Sequence, residues 1–137
     1  MQMIKIIDDI YKINKKYYIS KLKHVYKELK LKGTIVIKLG SKAESKDLNF
    51  KYLKKDFPTD VLSFPFNEKL LKEYYIGDIF ICYPIAEEQA EDNNISLKKE
   101  LLYLMIHGIL HLSGYDHEKD NGEMLELQDQ FTKKIIP

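Results

Sequence analysis

The sequence predicts an α+β fold, with a small mixed sheet of about four strands and about five helices. Segments of strand character alternate with segments of helical periodicity along the chain. The length of 137 residues suits a single domain, residues 1–137, and no internal repeat or linker divides it. Apolar residues make up 45% of the chain, which is enough for one hydrophobic core.

The first three elements are predicted from short local patterns. Residues 3–7, MIKII, indicate a first strand. Apolar residues then recur at helical spacing over residues 19–29, and Gly33 marks the end of this first helix. The β-branched run TIVIKL, residues 34–39, predicts the second strand.

The next part of the chain predicts a helix and a strand. Ser41 followed by Glu44 is the pattern of a capping box, which opens a short second helix. VLSF, residues 61–64, predicts a third strand that Pro65 closes. Residues 67–75, NEKLLKEYY, are polar and irregular, and they indicate a hairpin-like excursion.

One further strand and two helices are predicted after this excursion. YIGDIFICY, residues 75–83, indicates a fourth strand. Pro84 suits the first turn of a third helix. Ser96 is the predicted N-cap of a long and strongly apolar fourth helix, which Gly114 ends.

The last predicted helix begins at a second capping box, formed by Asp120 and Glu123. Its apolar stripe consists of Met124, Leu127 and Phe131. Because helices and strands interleave along the chain, both faces of the sheet could be covered.

The charge is unevenly distributed, although the net charge is only +1. Residues 1–56 contain 15 Lys against 6 acidic residues, whereas residues 57–137 contain 7 Lys against 15 acidic residues. A basic half is compatible with a polyanionic partner such as nucleic acid. The alternative is that these lysines form ordinary solvated helix faces.

Membrane and secreted proteins are disfavoured by the sequence. No apolar run approaches the ~18 residues needed to cross a bilayer. Asp8 and Asp9 interrupt the stretch that would be apolar in a secretory signal. The lone Cys82 has no internal disulfide partner, which favours a reducing compartment. We therefore expect a cytoplasmic protein without a membrane partner.

Three of the four histidines lie in one eleven-residue stretch, HGILHLSGYDH, residues 107–117. His107 and His111 are four residues apart on a predicted helix, so their side chains lie on the same face. Gly114 allows the chain to leave the helix sharply, which could return His117 to the same point. Since two imidazoles on an otherwise apolar helix are costly without partners, the spacing predicts a metal site rather than ordinary packing.

Three protein ligands leave a fourth coordination position open, which is typical of catalytic rather than structural zinc. Water bound at that position would have its pKa lowered to about 7. Asp116 could orient His117 from behind, or it could accept a hydrogen bond from the turn backbone instead. We expect one zinc ion per chain, although imidazoles also suit nickel, copper and iron.

The spacing of His, His, Gly and His matches the metzincin peptidase pattern H-E-x-x-H-x-x-G-x-x-H, which makes this a metzincin-like metal-site helix. The residue after the first histidine is Gly108, however, and the glutamate that it replaces is the general base of those peptidases. A glycine inside a helix costs about 0.5–1 kcal/mol relative to alanine. We expect Gly108 to allow close approach of another backbone, such as a strand edge.

The histidine stretch resembles the signature of the YbeY-type rRNA maturation factors, which are metal-dependent endoribonucleases of bacteria. Residues 48–66, LNFKYLKKDFPTDVLSFPF, and 77–82, GDIFIC, are similar to segments of the same family. The resemblance implies zinc held by His107, His111 and His117, and hydrolysis of single-stranded RNA. It also implies a part in 3′-end maturation of small-subunit rRNA and in ribosome quality control, with the ribosome or its small subunit as a partner.

The chain departs from this family's pattern next to Tyr52. The family usually has arginine after this tyrosine, but here Leu53 follows it and the chain contains no arginine. An arginine would hold phosphate bidentately, which lysine cannot do. Lys51, Lys54 and Lys55 are the nearest candidates for contacts with RNA phosphate, and plain solubility is the alternative explanation for each.

Two other functions stay open on the sequence alone. One is a small zinc peptidase or amidase, and the missing glutamate counts against it. The other is a non-enzymatic ribosome-assembly factor with a structural metal, and the three-ligand count argues against it. For a nuclease, no protein residue is assigned as catalytic, because either metal-activated water or a metal-polarised phosphate could bring about cleavage. The nucleophile, metal hydroxide or the ribose 2′-OH, is also left open.

Overall fold

A computed structural model of the chain describes residues 3–70 and 73–136. These residues form four strands and five helices, which confirms the predicted α+β class. In chain order they are β1 (Ile4–Ile7), α1 (Lys15–Glu28), β2 (Thr34–Gly40), α2 (Lys42–Leu53), β3 (Val61–Leu70), β4 (Glu73–Cys82), α3 (Tyr83–Asp92), α4 (Leu97–Leu112) and α5 (Glu123–Ile135). Within the described residues, no helix is both long enough and apolar enough to span a bilayer.

The strands form one mixed sheet in the order β1-β2-β4-β3. Strands β1, β2 and β4 are parallel, with Ile4 opposite Ile35 and Ile37 opposite Ile79. Strand β3 pairs antiparallel with β4 at one edge of the sheet. The parallel pairs require crossover connections, which α1 supplies between β1 and β2.

The two faces of the sheet are covered unequally. Ile35 and Ile37 of β2 are fully buried in the main core, to which α1, α4 and α5 also contribute. Val36 and Lys38, which alternate with them, are partly or largely exposed. The second face carries α2 over a smaller cluster whose buried members are Leu62, Phe80 and Cys82. This alternation follows from the two-residue period of a strand.

Helix α4 crosses the main core, and ten of its sixteen residues are buried. Gly108 lies on this buried side, where a β-carbon would approach side-chain atoms of Ile79 to 2.7–2.9 Å. The glycine therefore allows α4 to lie close to β4. The expected neighbour was the backbone of a strand edge, and that expectation is wrong, because the closest atoms belong to the Ile79 side chain.

Strand β3 does not end where the sequence indicates. Pro65 lies inside the strand, which runs to Leu70, and β4 begins at Glu73. Because β3 is an edge strand, a residue without an N–H can be accommodated there, and the register shifts between Pro65 and Glu68. The excursion predicted for residues 67–75 is therefore strand in its described part, and residues 71 and 72 lie outside the described residues.

Two helix starts also differ from the prediction. Helix α1 begins at Lys15, ahead of the apolar periodicity, because Asn14 caps its first turn. Helix α5 begins after Gly122 rather than at a capping box, so the predicted box is wrong. Asp120 still accepts hydrogen bonds from the N–H groups of Gly122 and Met124, and it stabilises the start of the helix from outside it. By contrast, the capping box that opens α2 is present as predicted.

Candidate metal centre

The end of α4 and the turn after it bring three histidines together. His107 and His111 lie on the same face of α4, with ring centroids 4.8 Å apart. The helix ends at Leu112 with Ser113 as its C-cap, and Gly114 follows with a φ of +101°, a left-handed conformation that favours glycine. The returning chain places the His117 ring 5.1 Å from that of His107 and 5.2 Å from that of His111.

The ring nitrogens of this cluster converge on one point. One nitrogen from each ring lies within 4.8 Å of the other two, and His117 Nδ1 is 3.2 Å from His111 Nε2. Two ligands of a tetrahedral zinc, each at 2.0–2.1 Å, stand about 3.3 Å apart. The separations and the all-imidazole donor set therefore fit a divalent cation, and His107, His111 and His117 are the residues that could hold it.

The cluster favours neutral imidazole at His111. Burial lowers the pKa of this half-buried ring below its usual value, and the neighbouring rings of His107 and His117 lower it further. Asp116 acts in the opposite direction and raises the pKa of His111. A neutral ring keeps a lone pair free at neutral pH, which metal binding requires.

His107 has a buried hydrogen-bonding partner on α5. Its Nδ1 lies 3.0 Å from Oε1 of Gln128, a residue that is only 1% exposed. The amide Nε2 of Gln128 donates to the carbonyl oxygen of Tyr103 on α4, also at 3.0 Å. Gln128 is not among the residues predicted from the sequence. A signal was present, since this polar residue lies one helical turn after Met124 in the buried stripe of α5, where it needs a partner.

Asp116 takes the second of the two roles considered for it. Its Oδ1 accepts a hydrogen bond of 3.0 Å from the N–H of Glu118, and its Oδ2 lies 3.9 Å from Lys119 Nζ. The carboxylate therefore stabilises the turn that carries His117. Among the described residues, no hydrogen bond joins Asp116 to a histidine.

The histidines form one side of a cavity of about 620 Å³, a volume within the range of small-molecule sites. Helix α2, the loop after it and the start of β3 form the opposite side. Their lining residues are Asn49, Tyr52, Leu53, Lys55, Phe57, Thr59, Asp60, Val61, Leu62, Ser63 and Phe64. We call this side the facing wall. It belongs to the segment 48–66, so the structure brings together the two stretches that the sequence singled out.

Two buried polar side chains of α2 hold the facing wall in place. The Ser45 hydroxyl donates to the carbonyl oxygen of Thr59 at 2.8 Å and accepts from its N–H at 2.9 Å. The amide of Asn49 donates to the carbonyl oxygen of Phe57 at 2.9 Å. Because both side chains are buried, the loop between α2 and β3 is tied to a rigid helix.

One of the three lysines considered as phosphate contacts lines the cavity, and it is Lys55. The Nζ of Lys51 lies 5.3 Å from the ring centroid of Tyr52, and Lys54 occupies the C-cap of α2 with a φ of 60°. Leu53, for which the sequence resemblance implies arginine, is 53% exposed and also lines the cavity. The cavity therefore has a leucine where a bidentate phosphate ligand would be expected.

The chain matches one protein family over nearly its whole length. Residues 3–136 match the family described as Endoribonuclease YbeY. A curated protein named Endoribonuclease YbeY from Persephonella marina is 40% identical over 129 residues, covering 90% of this chain and 84% of that protein. Another of the same name from Thermotoga neapolitana is 45% identical over 114 residues, covering 81% and 72%. The solution structure of TM1509 from Thermotoga maritima matches with a TM-score of 0.70 and 36% identity, covering 97% of this chain and 89% of that one.

Proposed function

This chain belongs to the Endoribonuclease YbeY family, and on that premise we propose that it cleaves single-stranded RNA with a divalent metal held by His107, His111 and His117. As a member of the family it is an endoribonuclease, a hydrolase of internal phosphodiester bonds. The observation that carries the metal part of the proposal is the convergence of three imidazole nitrogens within 4.8 Å of one another. We take residues 1–137 as one domain of this family.

A bound divalent cation supplies Lewis acidity towards phosphate and lowers the pKa of coordinated water. The chain itself fixes where this charge stands, because α4 and the turn after it hold the three rings. Lys55 is the one cationic side chain among the described cavity residues, against the carboxylates of Asp60, Asp116 and Glu118. The side chains that line the cavity therefore carry a net negative charge without the metal, and we propose that RNA cleavage depends strictly on the metal, with zinc as the ion.

The chemistry of the cavity disfavours a peptidase or amidase. Gly108 stands where metzincin peptidases have their general base. Asp60 accepts a hydrogen bond of 2.8 Å from the N–H of Val61, and Asp116 accepts one from the N–H of Glu118. Both carboxylates thus stabilise the local backbone, and the glycine at position 108 is the observation that counts against a peptidase.

The facing wall suits unpaired RNA. Tyr52 and Phe57 line the cavity and are 54% and 49% exposed, and aromatic rings of this kind stack on single-stranded bases. We propose that the natural substrate is single-stranded rRNA at the 3′ end of the small subunit. The ribosome or its small subunit is the proposed partner, the cytoplasm is the proposed location, and ribosome quality control is the proposed wider role. Family membership supports these four points.

The deciding experiment measures metal content and RNA cleavage together, for the wild-type protein and for His111→Ala. We expect about one zinc per chain and cleavage of single-stranded RNA by the wild type, and loss of both by at least about 100-fold in the variant. His24→Ala is the matched control, because this fourth histidine lies on α1 and not in the cavity. Wild-type cleavage rates after complete metal removal would contradict the proposal.

The products and the substrate form provide two further checks. A duplex of the same sequence should be cut at least about tenfold more slowly, because paired bases cannot stack on the facing wall. A 2′,3′-cyclic phosphate at the new end would identify the ribose 2′-OH as the nucleophile. A 2′,3′-diol on one fragment together with a 5′-phosphate on the other would identify water.

A further inference from the structure

We propose that Gln128 is a positioning residue of the metal centre, because its side chain holds His107 in the tautomer that is protonated on Nδ1. The Nε2 lone pair of His107 is then the one available to a metal ion. This inference rests on the proposed function only for its effect on metal-dependent cleavage. The tautomer itself is a property of the metal-free protein.

The Gln128 amide has one orientation that satisfies both of its contacts. The carbonyl oxygen of Tyr103 can only accept a hydrogen bond, so the group 3.0 Å from it is the NH₂ of the amide. The other end of the amide is Oε1, which lies 3.0 Å from His107 Nδ1 and can also only accept. In the neutral ring Nδ1 therefore carries the proton and Nε2 carries the lone pair.

Burial makes this arrangement hard to replace. Gln128 is 1% exposed, and it lies on α5 between Met124 and Phe131, which are themselves buried in the main core. Water has little access to the Nδ1–H if the amide is lost. The helix around Gln128 is held in addition by Thr132, whose hydroxyl donates to the Gln128 carbonyl oxygen at 2.7 Å.

The three candidate ligands differ in whether a side chain from outside the cluster forms a hydrogen bond with them. In the described part of the chain, the ring nitrogens of His111 and His117 contact each other at 3.2 Å, and the His111 ring also has a hydrogen bond with the backbone of Tyr115. Gln128 is thus the side chain from outside the cluster that orients a ligand. Partners of this kind around metal sites typically contribute 10–100-fold in metal affinity.

The test uses metal-free protein labelled with ¹⁵N at histidine, in which nitrogen chemical shifts report which ring nitrogen carries the proton. We expect His107 to be protonated on Nδ1 in the wild type. In Gln128→Met, which keeps the side-chain length but removes both hydrogen bonds, this ring should change to a mixture or to the Nε2–H form. Zinc affinity, measured by competition with a chelator, should fall about 10–100-fold in the same variant.

Thr132→Val is the matched control, since it removes a buried hydrogen bond on the same helix without touching the amide of Gln128. Its His107 tautomer should be unchanged, and its zinc affinity should stay within about twofold of the wild type. Gln128→Glu keeps an acceptor for Nδ1–H but faces the Tyr103 carbonyl with a carboxylate oxygen. It should retain the tautomer and the zinc affinity while losing thermal stability.

The wild-type spectrum decides the question even if Gln128→Met fails to fold. Protonation of His107 on Nε2 in the wild type would overturn the proposal. So would an unchanged tautomer and zinc affinity in a folded Gln128→Met protein. If the tautomer is as stated but the wild type binds no metal or cuts no RNA, the proposed function fails while the role of Gln128 in the metal-free protein stands.

Discussion

Leu53 is a single residue at which we expect a substitution to change the strength of substrate binding. It lies on the facing wall of the cavity at the position for which the sequence resemblance implies arginine, and half of its surface is exposed. A leucine there contributes no hydrogen bond to phosphate. Lys55 is the nearest cationic side chain that lines the cavity, and its ammonium group is a point charge without the planar geometry of a guanidinium.

We expect Leu53→Arg to raise kcat/KM for a single-stranded RNA by at least about tenfold, because a bidentate, charge-assisted contact would stabilise the phosphate in the transition state. Initial rates at low substrate concentration measure this. Leu53→Lys adds the same charge without the planar, bidentate geometry of a guanidinium, so it should raise kcat/KM less. If kcat/KM of Leu53→Arg is no higher than that of the wild type, the substrate phosphate does not contact residue 53.

Glu100, a buried carboxyl in the first turn of α4, makes stability dependent on pH. Burial raises its pKa above the usual 4.5, and the charge of Asp60 raises it further. Between pH 4.5 and the raised pKa of Glu100, the unfolded chain has lost this proton while the folded protein still holds it. The free energy of unfolding therefore falls as the pH rises through this range. Glu100→Gln should raise the urea midpoint at pH 7 and bring no advantage below pH 4. Glu91→Gln, an exposed change on α3, should leave the urea midpoint unchanged both at pH 7 and below pH 4.

At the scale of the elements, the packing of α4 on β4 depends on Gly108. A β-carbon at this position would approach the fully buried Ile79 side chain to 2.7 Å. Overpacking of this kind costs about 1–3 kcal/mol, which exceeds the 0.5–1 kcal/mol of helix propensity that alanine would return. Gly108→Ala should therefore lower the free energy of unfolding by about 1–2 kcal/mol in urea denaturation.

The double variant Gly108→Ala with Ile79→Ala tests the cause of this loss. Removing the clashing atoms should make the double variant more stable than the sum of the two single losses indicates. Strict additivity of the two changes would show that Ile79 is not the group that excludes a side chain at residue 108.

The elements predicted well are those whose signals lie in neighbouring residues. The capping box at Ser41 and the N-cap at Ser96 form as predicted, because each depends on groups three residues away. Pro65 is different, since whether a proline ends a strand depends on whether that strand lies at the edge of its sheet. The position of β3 at the edge is set by long-range pairing with β4, which a local pattern does not contain.

The same distinction applies to the metal centre. The proximity of His107, His111 and His117 follows from a helix, a glycine and a short turn, and it could be predicted from the sequence. Gln128 lies 21 residues from His107, and only the packing of α5 on α4 brings the two together. Sequence patterns also do not reveal that Ser45 ties the facing wall to α2, because this contact spans 14 residues.

At the scale of the whole molecule, the lysine-rich first part of the chain is the main source of positive charge. Several of its lysines are neutralised locally, such as Lys38 by Glu44 at 3.3 Å and Lys46 by Asp56 at 3.7 Å. Within residues 3–70 and 73–136, the candidates Lys51, Lys54 and Lys55 form no ion pair. Their charges are therefore available to a polyanion.

We expect RNA binding to weaken steeply with salt, because neutralised phosphates release counterions. Three contacts on a single strand give a slope of about −2 for log affinity against log salt concentration. Fluorescence anisotropy with metal-free protein measures the RNA binding that comes from the lysines, without a contribution from the metal ion. Changing Lys51, Lys54 and Lys55 to glutamine should flatten the slope, whereas the same change at Lys99, Lys133 and Lys134 should leave it intact. If the affinity of the wild type for RNA does not change with salt concentration, these lysines do not contact RNA phosphate.

The candidate ligands come from eleven consecutive residues, while the facing wall comes from residues 49–64. Over evolutionary time these two parts can diverge separately. Mutations that alter which RNA is chosen can accumulate in the wall without loss of the ion, so descendants with new preferences need inherit only the short chelating stretch and Gln128 unchanged.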